Sequence, residues 1–121
     1  MPDYLLILRD HEERWEKFSP QELQGVIDNF MAWNRSLEAE GQFVGAGKLT
    51  ADRGVTVRSR GGGGVIDGPY AEAKEAIAGY YQVRAGSIDE ATEAAKRCPI
   101  LTYGGSVEVR LMAGGSSAND G

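Results

Sequence analysis

Two helix-start signals, each set between stretches of strand character, constrain this chain more than any other feature. Ser19-Pro20-Gln21-Glu22 places a capping serine, a proline at the first helical position and a glutamate three residues after the cap. Ser87-Ile88-Asp89-Glu90 repeats the serine and the glutamate at the same spacing. Ahead of the first signal lies Tyr4-Leu5-Leu6-Ile7-Leu8, an unbroken apolar run that reads as a strand buried on both faces. After that helix, which Gly41 ends, residues 43–49 read as a second strand, loosened by Gly45 and Gly47. Ahead of the second signal, residues 79–85 alternate, with Tyr81, Val83 and Ala85 opposite Tyr80, Gln82 and Arg84. Pro99 ends the second helix, and residues 106–111 alternate again, with Val107, Val109 and Leu111 opposite Ser106, Glu108 and Arg110.

Between the halves, Val55-Thr56-Val57-Arg58 and Val65-Ile66-Asp67 read as a hairpin around Gly61 to Gly64. The order predicts an α+β, ferredoxin-like fold: a doubled βαβ unit with an inserted β-hairpin. The first helix carries Leu23, Val26, Ile27, Phe30, Met31 and Leu37 at helical spacing, with Asn34 as the one interruption. The second carries Ile88, Ala91, Thr92, Ala95 and Cys98 on one side. Residues 10–18 read as a polar link. Both helices then cover one face of the sheet, and nothing in the chain covers the other. A second copy is the simplest cover, which predicts a homodimer with a cavity between the sheets. Tyr80, Gln82, Glu108 and Arg110 are the ligand-binding candidates that would line it, polar enough to orient a small molecule.

The totals fit this picture. The 121 residues make one domain, expected over 1–112, with a small, polar, disordered tail over 113–121. The net charge of −5 disfavours nucleic acid as a partner. One cysteine, Cys98, rules out an internal disulfide. No apolar run is long enough to span a membrane, and no signal-type segment opens the chain, so a cytoplasmic protein is expected. One His, one Cys and scattered carboxylates lack metal-ligand spacing, and no cofactor is expected. Gly61 to Gly64 lacks the Lys-Ser/Thr ending of a phosphate loop.

The densest chemistry lies in Asp67-Gly68-Pro69-Tyr70-Ala71-Glu72-Ala73-Lys74-Glu75. Asp67, at a strand end, reads either as a general base or orienting carboxylate, or as a turn residue that accepts local amides. Glu72 and Glu75 share a face if the segment is helical, and crowding raises one carboxyl of such a pair into the range of a proton donor. The bland reading is a solvated turn. His11, the only histidine, follows the first strand and is an acid-base partner for Asp67 or part of a solvated loop. Tyr70 is a ligand-binding candidate. Trp15 and Trp33 read either as stacking surfaces or as core. Cys98 reads as a buried structural thiol, because a helix C-terminus disfavours the thiolate.

Asp67-Gly68-Pro69-Tyr70, Ala71-Glu72-Ala73-Lys74-Glu75, Gly79-Tyr80-Tyr81, Cys98-Pro99-Ile100-Leu101 and Tyr103-Gly104-Gly105-Ser106-Val107-Glu108-Val109-Arg110 together resemble the DGPF-domain branch of the YCII-related family, with Tyr70 in place of the usual Phe. The resemblance implies a ferredoxin-like dimeric α/β barrel and, by analogy, a link to extracytoplasmic-function sigma factors. Three functions stay open: a cofactor-independent small-molecule enzyme using acid-base chemistry, a non-catalytic small-molecule-binding or regulatory module, and a plain interaction domain whose motif serves the fold, with Pro69 and the carboxylates organising the crossing to Gly79. A dehydrochlorinase of the wider family resembles a His-Asp system, with the His on the first helix and the Asp before a Pro. Here residues 20–40 hold no His, and Cys98-Pro99 stands where that Asp-Pro step would be.

Overall fold

A computed structural model describes residues 1–11, 13–50, 54–57, 59, 65–67 and 76–114; the side chains of Glu13 and of residues 65–67 are outside the description. In chain order the described elements are β1 (Asp3–Asp10), α1 (Glu13–Glu16), α2 (Pro20–Ala39), β2 (Phe43–Lys48), β3 (Val55–Val57), β4 (Val65–Asp67), β5 (Ala76–Arg84), α3 (Ile88–Lys96) and β6 (Ser106–Leu111), with a 3₁₀ turn at Pro99–Leu101. The main sheet has the order β2-β5-β1-β6, and every neighbouring pair is antiparallel. This α+β arrangement is compatible with a ferredoxin-like fold. β3 and β4 pair with each other in a separate two-stranded sheet, Thr56 opposite Ile66. Positions 58 and 60–64, between those strands, lie outside the described residues, as do 115–121, where the tail was expected.

Local chemistry fixes the helices. At α2, the Ser19 hydroxyl accepts the Glu22 N–H at 3.1 Å and the Glu22 carboxylate accepts the Ser19 N–H at 2.7 Å, so two orphan donors of the first turn are satisfied reciprocally. Gly41, with φ of 70°, turns the chain out of the helix. At α3, Ser87 accepts the Glu90 N–H, but Glu90 reaches one residue further back than the expected box and accepts the Gly86 N–H at 2.8 Å.

Tyr4, Leu6 and Leu8 of β1 and Val83 of β5 face Trp33 and Leu37 of α2 and Ala91, Ala94 and Ala95 of α3, with Ala85, Cys98 and Ile100 closing the core. Both long helices thus cover one face of the sheet. Three expectations need correction. The α2 line that enters the core is Val26, Phe30, Trp33 and Leu37, while Leu23, Ile27 and Met31 lie exposed on the flank. Trp33 marks the rotation: it is buried, and its indole N–H donates to the Ala94 carbonyl at 3.1 Å, so turning this face outward would give up both the burial and that bond. On α3, Ile88 is 51% exposed, and Ala94 packs in the core. Small alanines let this helix lie close to the sheet, and a larger side chain at its first turn is pushed to the rim. The link over residues 10–18 is not simply polar: Asp10 ends β1, and α1 is held by Trp15, which packs edge-on against Phe18 and Tyr103 with ring centroids 5.1 and 5.5 Å apart. A four-residue helix is too short for periodicity to reveal it.

Candidate functional site

The face of the sheet turned away from the helices is set by β-strand alternation. Leu5 and Ile7 of β1 point there, because Leu6 and Leu8 point into the core. The register then forms two rows across the strands. Gln82, Leu5 and Arg110 make one row, and Tyr80, Ile7 and Glu108 the next. The four residues singled out from strand alternation, Tyr80, Gln82, Glu108 and Arg110, therefore share this face and flank a strip of two half-buried aliphatic side chains.

The rim of the strip is charged and ordered. On one side, Arg9 donates to Glu108 at 2.6 Å and Arg110 donates to the other oxygen of the same carboxylate at 3.1 Å. These two hydrogen bonds hold the Glu108 carboxyl below the usual carboxylate range, the bond from Arg9 contributing most. At the other end, Asp3 has no exposed surface; Gln82 donates to it at 2.7 Å and Arg84 at 3.0 Å. Tyr80 lies over Gly47, where a Cβ would stand 2.5 Å from the ring. The missing side chain at position 47 thus makes room for the phenol on the sheet surface. Neither Asp3 nor Arg9 was singled out from the sequence. The signal was present: they sit at odd positions of the strand, in step with Leu5 and Ile7, but the apolar run Tyr4 to Leu8 masked the alternation.

The catalytic candidates are placed unevenly. Asp67 is the last residue of β4, opposite Val55, and its side chain lies outside the description; Tyr70 and Glu72 lie outside it altogether. His11 directly follows β1 and lines an open depression with Arg14, Lys17 and Phe18. Its neighbour Asp10 is a buried carboxylate whose Oδ1 accepts the His11 N–H at 2.8 Å and the Arg14 Nε–H at 3.1 Å, while Oδ2 has no hydrogen-bond partner among the described residues. Asp10 pairs in register with Ala76, so the chain leaving Asp67-Gly68-Pro69-Tyr70 re-enters the sheet beside the end of β1 that leads to His11.

The remaining candidates are structural. Cys98 is 2% exposed, and burial pushes its thiol up to about 12, so it is no nucleophile near neutral pH. Trp33 is core, and its ring lies 4.3 Å from that of Tyr81. Burial raises the Tyr81 phenol, with a smaller contribution from Cys98. Tyr103 accepts a hydrogen bond from Asn29 at 2.8 Å and belongs to the Trp15 cluster. Among the described residues, no three His, Cys, Asp or Glu side chains group as metal ligands, and no helix is long and apolar enough to cross a membrane.

Comparison with known proteins places this geometry in context. The profile of the YCII-related domain matches residues 3–113. An uncharacterised protein of Rhizobium meliloti (strain 1021) is 28% identical to this chain over 113 residues, covering 91% of each.

Proposed function

The chain belongs to the YCII-related family, and from that premise we propose that it is a small-molecule-binding protein that works as a homodimer, two sheets meeting across their open faces. The observation that carries this reading is the half-buried Leu5-Ile7 strip at the centre of a sheet whose opposite face is already filled by α2 and α3. Apolar surface in the middle of a sheet is stabilised only when something covers it, and ordered polar groups around such a strip are the usual furniture of a ligand site. Tyr80, Gln82, Glu108 and Arg110 are the ligand contacts in this reading. The Asp67-Gly68-Pro69-Tyr70 motif supports the DGPF-domain branch.

One observation favours a second, catalytic reading. Ala76, the first residue after the motif segment, pairs with Asp10, which precedes His11. The segment that follows the motif therefore enters the sheet beside the strand end that leads to the only histidine, and in this reading Asp67 acts as base or orienter, with Tyr70, Glu72 and His11 assisting. A ligand screen by thermal shift on wild type and Asp67→Asn separates the readings. A ligand that stabilises both proteins, with no turnover by either, supports binding alone. Turnover by wild type that Asp67→Asn abolishes, with ligand stabilisation kept, supports catalysis. A screen in which no small molecule stabilises wild type contradicts both.

A further inference from the structure

We infer that the ligand of the open face is a small organic anion with an apolar body, its acid group bound by Arg9 and Arg110. This rests on the small-molecule reading above and names the ligand's chemistry. Two guanidinium groups share one carboxylate, Glu108, through one hydrogen bond each. A guanidinium carries five N–H donors in a fixed fork, so most of that donor capacity is not taken up by the described residues. The cluster of Arg9, Glu108 and Arg110 carries one net positive charge, on a chain whose total is −5. Among the described residues, the other cation of this face is Arg84, which is matched by the buried Asp3, so the excess lies with Arg9 and Arg110.

The neighbouring surface fits the rest of such a molecule. Leu5 and Ile7 form an apolar floor between β5 and β6, Tyr80 stands on the β5 side over Gly47, and Gln82 offers an amide beside it. An acid group at Arg110 leaves the body of a small ligand over Leu5 and Ile7, against the phenol. Charge-assisted hydrogen bonds from guanidinium to carboxylate are the strong and geometrically selective ones, so the discriminating feature of the ligand is its charge.

The test uses benzoate and hexanoate against their uncharged counterparts, benzamide and hexanamide, in low salt, with binding followed by calorimetry. Oligomeric state is followed by sedimentation on the same samples. Wild type is compared with Arg110→Gln, whose side chain is 67% exposed and can change without disturbing the core. The expected result is saturable binding of a carboxylate, none of its amide, and a dissociation constant raised at least about tenfold in Arg110→Gln with the fold unchanged by circular dichroism. Equal binding of acid and amide keeps the small-molecule reading but overturns the anion assignment. A dimer that binds neither set also overturns it. A monomer that binds neither sinks the homodimer reading as well. If Arg110→Gln loosens the dimer and no carboxylate binds, the acid that meets the arginines is the second copy's, and the inference fails.

Discussion

Asp3 is the most deeply buried charged side chain among the described residues. A carboxylate with no exposed surface is tolerable only if its oxygens are matched, and Gln82 and Arg84 match one each. Cys98 shows the opposite use of burial. Its thiol is pushed from the ordinary 9.0 to about 12, so the folded state prefers the protonated form. Because the folded value lies above the unfolded one, this stabilisation is complete below the unfolded value and is lost as pH rises from about 9 toward 12. Cys98 in the native protein at pH 8 is therefore expected to resist a thiol reagent such as Ellman's reagent and to react fully once urea unfolds the chain. Stoichiometric labelling of the native protein would contradict this. The buried character of Cys98 was legible in the sequence, from its place at a helix C-terminus before Pro99. The roles of Asp3 and Arg9 were not, since a charged residue at a strand end looks alike whether it faces solvent or clamps a partner strand.

At the scale of elements, α2 was readable almost residue by residue at its ends, because caps are local chemistry. Ser19→Ala removes the hydroxyl that accepts the Glu22 N–H and is expected to cost about 1 kcal/mol in urea denaturation with an unchanged m-value. A loss below a few tenths would mean that the cap adds nothing to the packed helix. The rotation of α2 was not readable. Both Leu23-Ile27-Met31 and Val26-Phe30-Trp33-Leu37 satisfy helical spacing, and only the tertiary partner of Trp33, the Ala94 carbonyl, chooses between them. The α3 face misled for a related reason: Ala94 and Ile88 compete for the sheet, and closeness of approach favours the smaller. Strand pairing adds a constraint of its own. A Cβ at Gly79 would stand 2.6 Å from the Gly47 carbonyl oxygen, which is backbone and cannot rotate away. Gly79→Ala is expected to destabilise by about 1–3 kcal/mol, as overpacking does. The three atoms nearest a Cβ at Gly47 all belong to the movable Tyr80 side chain, so Gly47→Ala should cost less. Equal costs, read from paired denaturation curves, would show that β2 and β5 can part freely at this point.

At the scale of the whole molecule, one face of the sheet is closed by helices and the other carries an apolar strip with an ordered charged rim. The succession of strands and helices along the chain and the one-sided placement of the helices followed from the two helix-start signals and the strand alternation around them. The placement of the candidate residues followed only in part. Tyr80, Gln82, Glu108 and Arg110 fell on one face because period-two alternation is geometric, whereas any approach of Asp67 to His11 is a distance across the fold, which sequence order does not fix. The account stands or falls on what covers the open face, and sedimentation equilibrium of wild type and Ile7→Asp measures it most directly. The account predicts a wild-type dimer and a folded monomeric variant, because a carboxylate at the centre of the strip cannot be buried unpaired between two sheets. A wild type that stays monomeric, or an Ile7→Asp variant that dimerises as tightly as wild type, would contradict it.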